Sequence, residues 1–171
     1  MIKLMFPTID LKDKIIDFRD EFFKSSEKVI PGDGGLDSFN SIEEWINKIE
    51  ADLTTENTYK RVAATLLLGI NDDDKIVGII QLRHRLNEEL LLYYGHIGYS
   101  VRPNERRKGY AKDMLKQCIE LAQTKGISKL LISCDKTNIA SKNTILSCCE
   151  IETLEEIEKD EEIIEKYWIN I

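Results

Sequence analysis

The sequence predicts an α/β (α+β) fold, a mixed sheet flanked by helices, and three observations carry that prediction. Apolar residues recur at helical spacing between positions 11 and 49. Two apolar runs then face each other across Asp72-Asp73-Asp74. Between positions 91 and 134 the pattern reads strand, amphipathic helix, strand. The 171 residues suit a single domain, 1–171, long enough to bury most of its apolar surface.

Residues 2–6 read as a short strand. From Thr8 a helix is expected, with Leu11, Ile15, Phe18 and Phe22 on one face. Pro31-Gly32-Asp33-Gly34-Gly35 is a loop, and Asp33 makes it a poor phosphate cradle; a connector or a wall of the substrate site suits it better. Ser41-Ile42-Glu43-Glu44 is a capping-box pattern opening a second helix on Ile42, Trp45, Ile46 and Ile49. The character changes near residue 59, where strands follow at Val62–Ile70 and Lys75–Arg83 around the aspartate turn. A further strand is expected from Leu91 to Val101, stopped by Pro103, which cannot donate to a ladder. Ala111, Met114, Leu115, Cys118, Ile119 and Ala122 then mark an amphipathic helix closed by Lys125 and Gly126. Lys129–Cys134 reads as a buried strand and Asn138–Cys148 as a short helix. In the tail, Ile163, Glu165, Tyr167, Ile169 and Ile171 alternate, whereas Ile151, Leu154 and Ile157 have helical spacing. Two strands joined near Lys159-Asp160-Glu161 are preferred.

With 42% hydrophobic and 32% charged residues, the composition is that of a soluble globular protein. No apolar run reaches the roughly 20 residues of a membrane span, and the N-terminus lacks a signal-peptide layout, so the cytoplasm is expected. Cys118, Cys134, Cys148 and Cys149 lack the spacing of a zinc site and read as free, mostly buried thiols. A net charge of −7 argues against a nucleic-acid binder and inclines toward a cationic partner. A homodimer is compatible with the sequence.

The chemistry is concentrated in Val101-Arg102-Pro103-Asn104-Glu105-Arg106-Arg107-Lys108-Gly109-Tyr110-Ala111. A helix N-terminus presents unpaired N–H groups and a partial positive charge, and a glycine lets an anion approach the backbone. Arg102, Arg106, Arg107 and Lys108 add four positive charges where cations oppose the helix dipole, so an anion such as a diphosphate is expected there. The pattern is neither a Walker loop nor a dinucleotide fingerprint.

Arg106-x-x-Gly109-x-Ala111, between a strand and an amphipathic helix, resembles the acetyl-CoA signature of the GNAT superfamily of N-acyltransferases. Gly95-His96-Ile97-Gly98-Tyr99-Ser100-Val101-Arg102-Pro103 resembles a bacterial group within it, and the likeness runs over nearly the whole chain. The resemblance implies a GNAT-like, mostly antiparallel central sheet. It implies an N-acetyltransferase that moves acetyl from acetyl-CoA to a primary amine of a small molecule or protein, by direct attack in a ternary complex and without a metal. It implies that backbone amides around Arg106, Arg107, Lys108, Gly109, Tyr110, Ala111 and Lys112 hold the pyrophosphate. Tyr99, Ser100 and Val101 would bind the pantetheine arm and place the thioester, with Asn138 and Ser141 reaching it from the other side. Two positions depart from the family: Ile145 replaces a common tyrosine that protonates the leaving thiolate, and Cys149 replaces a glycine. A non-catalytic CoA-binding sensor or interaction module of the same fold is therefore the alternative.

An attacking amine must be neutral, and for an alkyl amine of pKa near 10.4 that costs roughly 4–5 kcal/mol at pH 7. His96 is a candidate base, with a hydrogen-bonded sheet histidine as the competing role. Tyr99 is the candidate acid in place of Ile145. Alternation sets His96, Gly98 and Ser100 on one face and Ile97, Tyr99 and Val101 on the other. His84 and Glu88-Glu89 read as surface or loop residues, and Cys134 and Cys149 as buried thiols rather than nucleophiles.

Overall fold

The structure, a computed structural model, describes residues 2–55 and 60–171. The change of character read near residue 59 lies outside the described residues. Among these residues the chain runs β1 (Ile2–Met5), α1 (Lys12–Lys24), α2 (Ile42–Asp52), β2 (Ala64–Asn71), β3 (Ile76–Arg83), β4 (Ile97–Val101), α3 (Tyr110–Thr124), β5 (Lys129–Asp135), α4 (Ile139–Cys148), β6 (Thr153–Lys159) and β7 (Glu162–Asn170). The strands form one sheet in the order β1-β2-β3-β4-β5-β7-β6. Every neighbouring pair is antiparallel except β4 and β5, which run parallel.

The period of two along each strand divides the apolar residues between two cores. One face sends Leu66, Leu68 and Ile79 against Ile15, Phe18 and Phe22 of α1 and Trp45 and Ile49 of α2. The other sends Ile80, Leu82, Ile97, Ile132 and Tyr167 against Met114, Leu115, Cys118 and Ala122 of α3 and Ile145 of α4. Each large side chain removed from water contributes about 1.5–3 kcal/mol, so both layers are held by the helix stripes visible in the sequence.

Local chemistry sets the ends. Ser41 accepts the Glu44 N–H at 3.3 Å as the N-cap of α2. The box is only half formed: among the described residues no bond runs from the Ser41 N–H to the Glu44 carboxylate, and the Ser41 hydroxyl donates to Glu43 at 3.0 Å. The C-terminus of α3 is a Schellman motif: Gly126 is left-handed, Ile127 N–H donates to Ala122 O at 3.1 Å, and Gly126 N–H to Gln123 O at 3.0 Å. The tail is a hairpin whose two turn residues, Asp160 and Glu161, both have positive φ, as a twist-matched two-residue turn requires.

One expected strand is corrected. Residues from Leu91 do not extend continuously to Val101. Leu90–Tyr94 forms a wide helical turn closed by Gly95 N–H to Leu90 O at 2.7 Å, and the strand begins at Ile97. Asn87 starts the turn by accepting the Leu90 N–H at 2.9 Å. Lys159 fastens it, standing 4.9 and 4.3 Å from the ring centres of Tyr93 and Tyr94. Leu-Leu-Leu-Tyr-Tyr has no alternation, so nothing in it specified extended backbone.

Candidate active site

The parallel pair β4–β5 is joined only at its start. Ile97 registers with Ile132, and His96 N–H donates to Leu131 O at 2.7 Å. No pairing with β5 follows at Tyr99 or Val101 among the described residues. Arg83 N–H donates to His96 O and Arg102 N–H to Val77 O, both at 2.8 Å. Backbone groups at even positions of β4 therefore face β3, and those of Tyr99 and Val101 face the opening. The opening is held from both sides, since β4 pairs with β3 from Ile97 to Val101 and β5 with β7 from Lys129 to Asp135.

The loop toward α3 leads from this opening. Arg107 and Gly109 both have positive φ, 62° and 88°. Gly109 is the N-cap of α3, no side chain caps the helix, and the first helical bond is Asp113 N–H to Gly109 O at 3.1 Å. The amides of Tyr110, Ala111 and Lys112 thus point out of the helix start. A Cβ on Gly109 would meet nothing within 4 Å, so open space lies in front of the glycine beside the bare amides. A diphosphate fits that donor set.

The four cations expected to crowd this loop have separate destinations. Arg102 is 3% exposed and turned away, bonded to Glu21 at 2.6 Å, to Asp17 and to Ile76 O at 3.1 Å. It ties the end of β4 to α1 and is no part of an anion site. Arg106 forms two 2.7 Å bonds with Glu27, and Lys108 meets Glu105 at 2.8 Å. Carboxylates distant in sequence supply most of the compensation that had been assigned to an anion. Arg107 is exposed and has no partner among the described residues, and with the bare amides it is what remains to attract one.

On the α3/α4 side of the opening, the Tyr99 hydroxyl lies 2.8 Å from Ser141 Oγ. Burial pushes its pKa up to about 12, against a lowering contribution from Ser141. Asn138 caps α4, its Oδ1 accepting the Ser141 N–H at 3.0 Å, which leaves its NH2 group to donate. Ile145 is wholly buried in the core under α4. The cysteines are free, and burial raises Cys118 to about 12 and Cys134 and Cys149 to about 11, so they are thiols at neutral pH.

The opposite side of the opening is roofed by the 31–36 loop. Gly32 packs directly on Gly98: a Cβ on Gly32, at φ 78°, would lie 2.2 Å from Gly98 O. Ser100 donates to Pro31 O at 2.7 Å. Asp33 accepts the Gly35 and Asp37 N–H groups and receives the Trp45 indole N–H on its carbonyl, so it shapes the loop from within. His96 faces this side but turns its ring to β5, where Nδ1 accepts the Leu131 N–H at 2.9 Å. That bond assigns the neutral ring its proton on Nε2, leaving no free lone pair for a base. Burial, with help from the Arg83 charge, lowers its pKa to about 4. His84 bonds Thr65 at 2.8 Å, at the edge of the sheet. Among the described residues no group of three or more His, Cys, Asp or Glu side chains is placed to hold a metal, and no helix is long and apolar enough to cross a membrane.

A mixed sheet opened between two parallel strands, beside a bare helix N-terminus, defines a class of α/β domain with backbone donors set for an extended, phosphorylated ligand. The chain belongs to the GNAT acetyltransferase family: the family profile described as "Acetyltransferase (GNAT) domain" matches residues 16–148. The cosubstrate of this family is acetyl-CoA. Among solved structures the chain is similar to the microcin C7 self-immunity acetyltransferase MccE in complex with acetyl-CoA and AMP, at 18% identity over 99% of this chain and 92% of that one, with a TM-score of 0.71. It is also similar to an acetyltransferase of the GNAT family from Streptococcus pneumoniae (15%, 100% and 99%, TM-score 0.67). An N-acetyltransferase from Staphylococcus aureus Mu50 aligns at 15% over 99% and 98%, with a TM-score of 0.65. At these identities the likeness is one of fold. A search of curated proteins finds no match.

Proposed function

We propose that the chain transfers acetyl from acetyl-CoA to a primary amine by direct attack in a ternary complex. The observation that carries this reading is the β4–β5 opening, with Tyr99 and the Val101 N–H free of the β5 ladder on one side and the α3 amides at its end; the Val101 carbonyl accepts Arg106 Nε–H at 3.1 Å. The amides from Arg107 to Lys112 would bind the pyrophosphate, and Tyr99 and the Val101 N–H the pantetheine arm, with the Asn138 amide group reaching it from α4. Ser100, expected to share that role, has its backbone toward β3 and its hydroxyl on Pro31 O. Acetyl-CoA supplies the thioester carbonyl; a C–N bond forms, the C–S bond breaks, the amine loses a proton and the thiolate gains one.

The chain's own groups divide that work unequally. An N–H of the opened strand is suited to the negative charge developing on the carbonyl oxygen. Tyr99 is the donor for the departing sulfur. At a pKa of about 12 it keeps its proton at neutral pH. Full transfer to a thiolate of pKa about 8.5 is uphill by about 5 kcal/mol, so Tyr99 acts as a hydrogen-bond donor and solvent completes the protonation. His96 serves as a positioning N–H donor rather than as the base, because its one basic nitrogen is occupied. The four free thiols support a reducing compartment, the cytoplasm.

The buried Ile145 at the family's tyrosine position favours a second reading, a CoA-binding module without catalysis. Calorimetry with acetyl-CoA and a thiol-release assay across amines separate the two: both predict binding, and only transfer predicts acceptor-dependent release. Tyr99→Phe is expected to lower kcat by about 100-fold while leaving the acetyl-CoA KM in place. An unchanged kcat would remove Tyr99 from the mechanism.

A further inference from the structure

On the roofed side of the opening, β3 carries polar residues at alternate positions of an otherwise apolar strand. Gln81 lies opposite Gly98 in the ladder and is 8% exposed, yet its amide has no hydrogen-bond partner among the described residues. Arg83 follows on the same face. Among the described residues its guanidinium makes one bond, Nη1 to Gly95 O at 3.1 Å, and Nη2 would lie 3.7 Å from a Cβ on Gly98. No carboxylate pairs with it among the described residues, in contrast to Arg102, Arg106, Lys75, Lys108, Lys142 and Lys166. Burial lowers its pKa, but a guanidinium stays charged, so a half-buried cation stands without a counter-charge among the described residues.

Two further groups flank the same glycine. Ser133 follows Ile132, the residue registered with Ile97, and so lies on the same face of the sheet as Gly98; its hydroxyl is buried without a hydrogen-bond partner among the described residues. His96 offers Nε2–H, the proton its Nδ1 bond leaves there. Asp33, in the roof loop, has both oxygens engaged by amides of its own loop. One unpaired cation and three neutral polar groups with unused hydrogen-bonding capacity therefore gather around Gly98, immediately before the stretch that would place the thioester.

Resting on the acetyl-transfer reading, we propose that the acceptor is a small amine that also bears a carboxylate, as an amino acid does, and that Arg83 receives this carboxylate with Gln81 beside it. The local charge is the reverse of the chain's −7 and sets aside the cationic partner that net charge suggested. A single guanidinium matches a monoanion better than a phosphate dianion, and its fork matches a carboxylate.

The test uses the full-length protein loaded with CoA. It is titrated with N-acetylglycine and N-acetyl-β-alanine, and with N-methylacetamide as the counterpart lacking the carboxylate. The carboxylates are expected to bind about 10- to 100-fold more tightly, and Arg83→Gln to abolish that preference without changing acetyl-CoA affinity. Equal binding, no binding of the carboxylates, or a preference that survives Arg83→Gln overturns the proposal. Should Arg83→Gln not fold, the Arg83 side-chain N–H resonance of the unaltered protein must shift with N-acetylglycine and not with N-methylacetamide. Thiol release with glycine and β-alanine against methylamine separates this from the underlying reading. Carboxylate-selective binding without release defeats transfer and leaves the Arg83 site standing; release that favours methylamine defeats the Arg83 site and leaves transfer standing.

Discussion

At the residue scale, Gly109 combines the two conditions of an anion cradle, a left-handed backbone and open space where a side chain would stand. Gly109→Val places a branched side chain into that space and strains the backbone by about 1–2 kcal/mol. The folded variant is expected to lose about tenfold or more in acetyl-CoA affinity by calorimetry, with a drop of a few degrees in Tm. Affinity within twofold of the unaltered protein would move the pyrophosphate elsewhere. Gly109 and Ala111 were legible from their spacing before a helix. The neighbouring cations were not. Arg102, Arg106 and Lys108 look alike in a string of characters, yet Asp17, Glu21, Glu27 and Glu105 assign each a different task. The Arg102–Glu21 and Arg106–Glu27 pairs span 81 and 79 positions and have no local signature, whereas Lys108–Glu105 is an i, i+3 neighbour.

At the scale of elements, the 31–36 loop is placed by a glycine-on-glycine contact, since Gly32 rests where any Cβ would strike the Gly98 carbonyl. Gly32→Ala is expected to cost about 1–3 kcal/mol in a denaturant melt and to lift the loop from β4. Its functional mark would be a raised acceptor KM with acetyl-CoA affinity preserved, since the loop touches only the roofed side. A parallel loss of acetyl-CoA affinity would contradict that division of the site. The loop was readable as a loop from Pro31 and three glycines, with a connector or a wall of the substrate site as its two suggested roles. Its partner was not, because Gly98 is sixty-six positions further along the chain and carries no side chain to pattern. The turn at Leu90–Tyr94 was misread for the opposite reason, an apolar run too uniform to reveal a period.

At the scale of the whole molecule, two buried groups on the roofed side titrate in opposite senses. His96 falls from 6.5 to about 4, so between these values the unfolded chain binds the extra proton and stability rises with pH. Asp33 rises from 3.8 to about 6, chiefly through burial, so there the folded chain holds the proton and stability falls with pH. Across pH 4–6 the two nearly cancel. His96→Asn removes one side of the balance: relative to the variant, the unaltered protein should gain about 3 kcal/mol between pH 4 and 6.5. Urea melts at several pH values read this difference, and a pH-independent gap between the two proteins would mean that His96 is not desolvated as described.

The sequence by itself determined the helices with apolar stripes, the glycine-punctuated loops, the tail hairpin and the loop at Arg106–Ala111 that opens α3. All of these rest on short-range physics, periodicity and turn chemistry, which neighbouring residues encode together. Only the tertiary structure decided which end of β4 parts from β5, which cations are already paired, and which face of the sheet holds Gln81, Arg83, His96 and Ser133 around Gly98. Those depend on desolvation and on carboxylates brought from distant positions. Desolvation and charge pairing are properties of a place in space, and no window of sequence contains them.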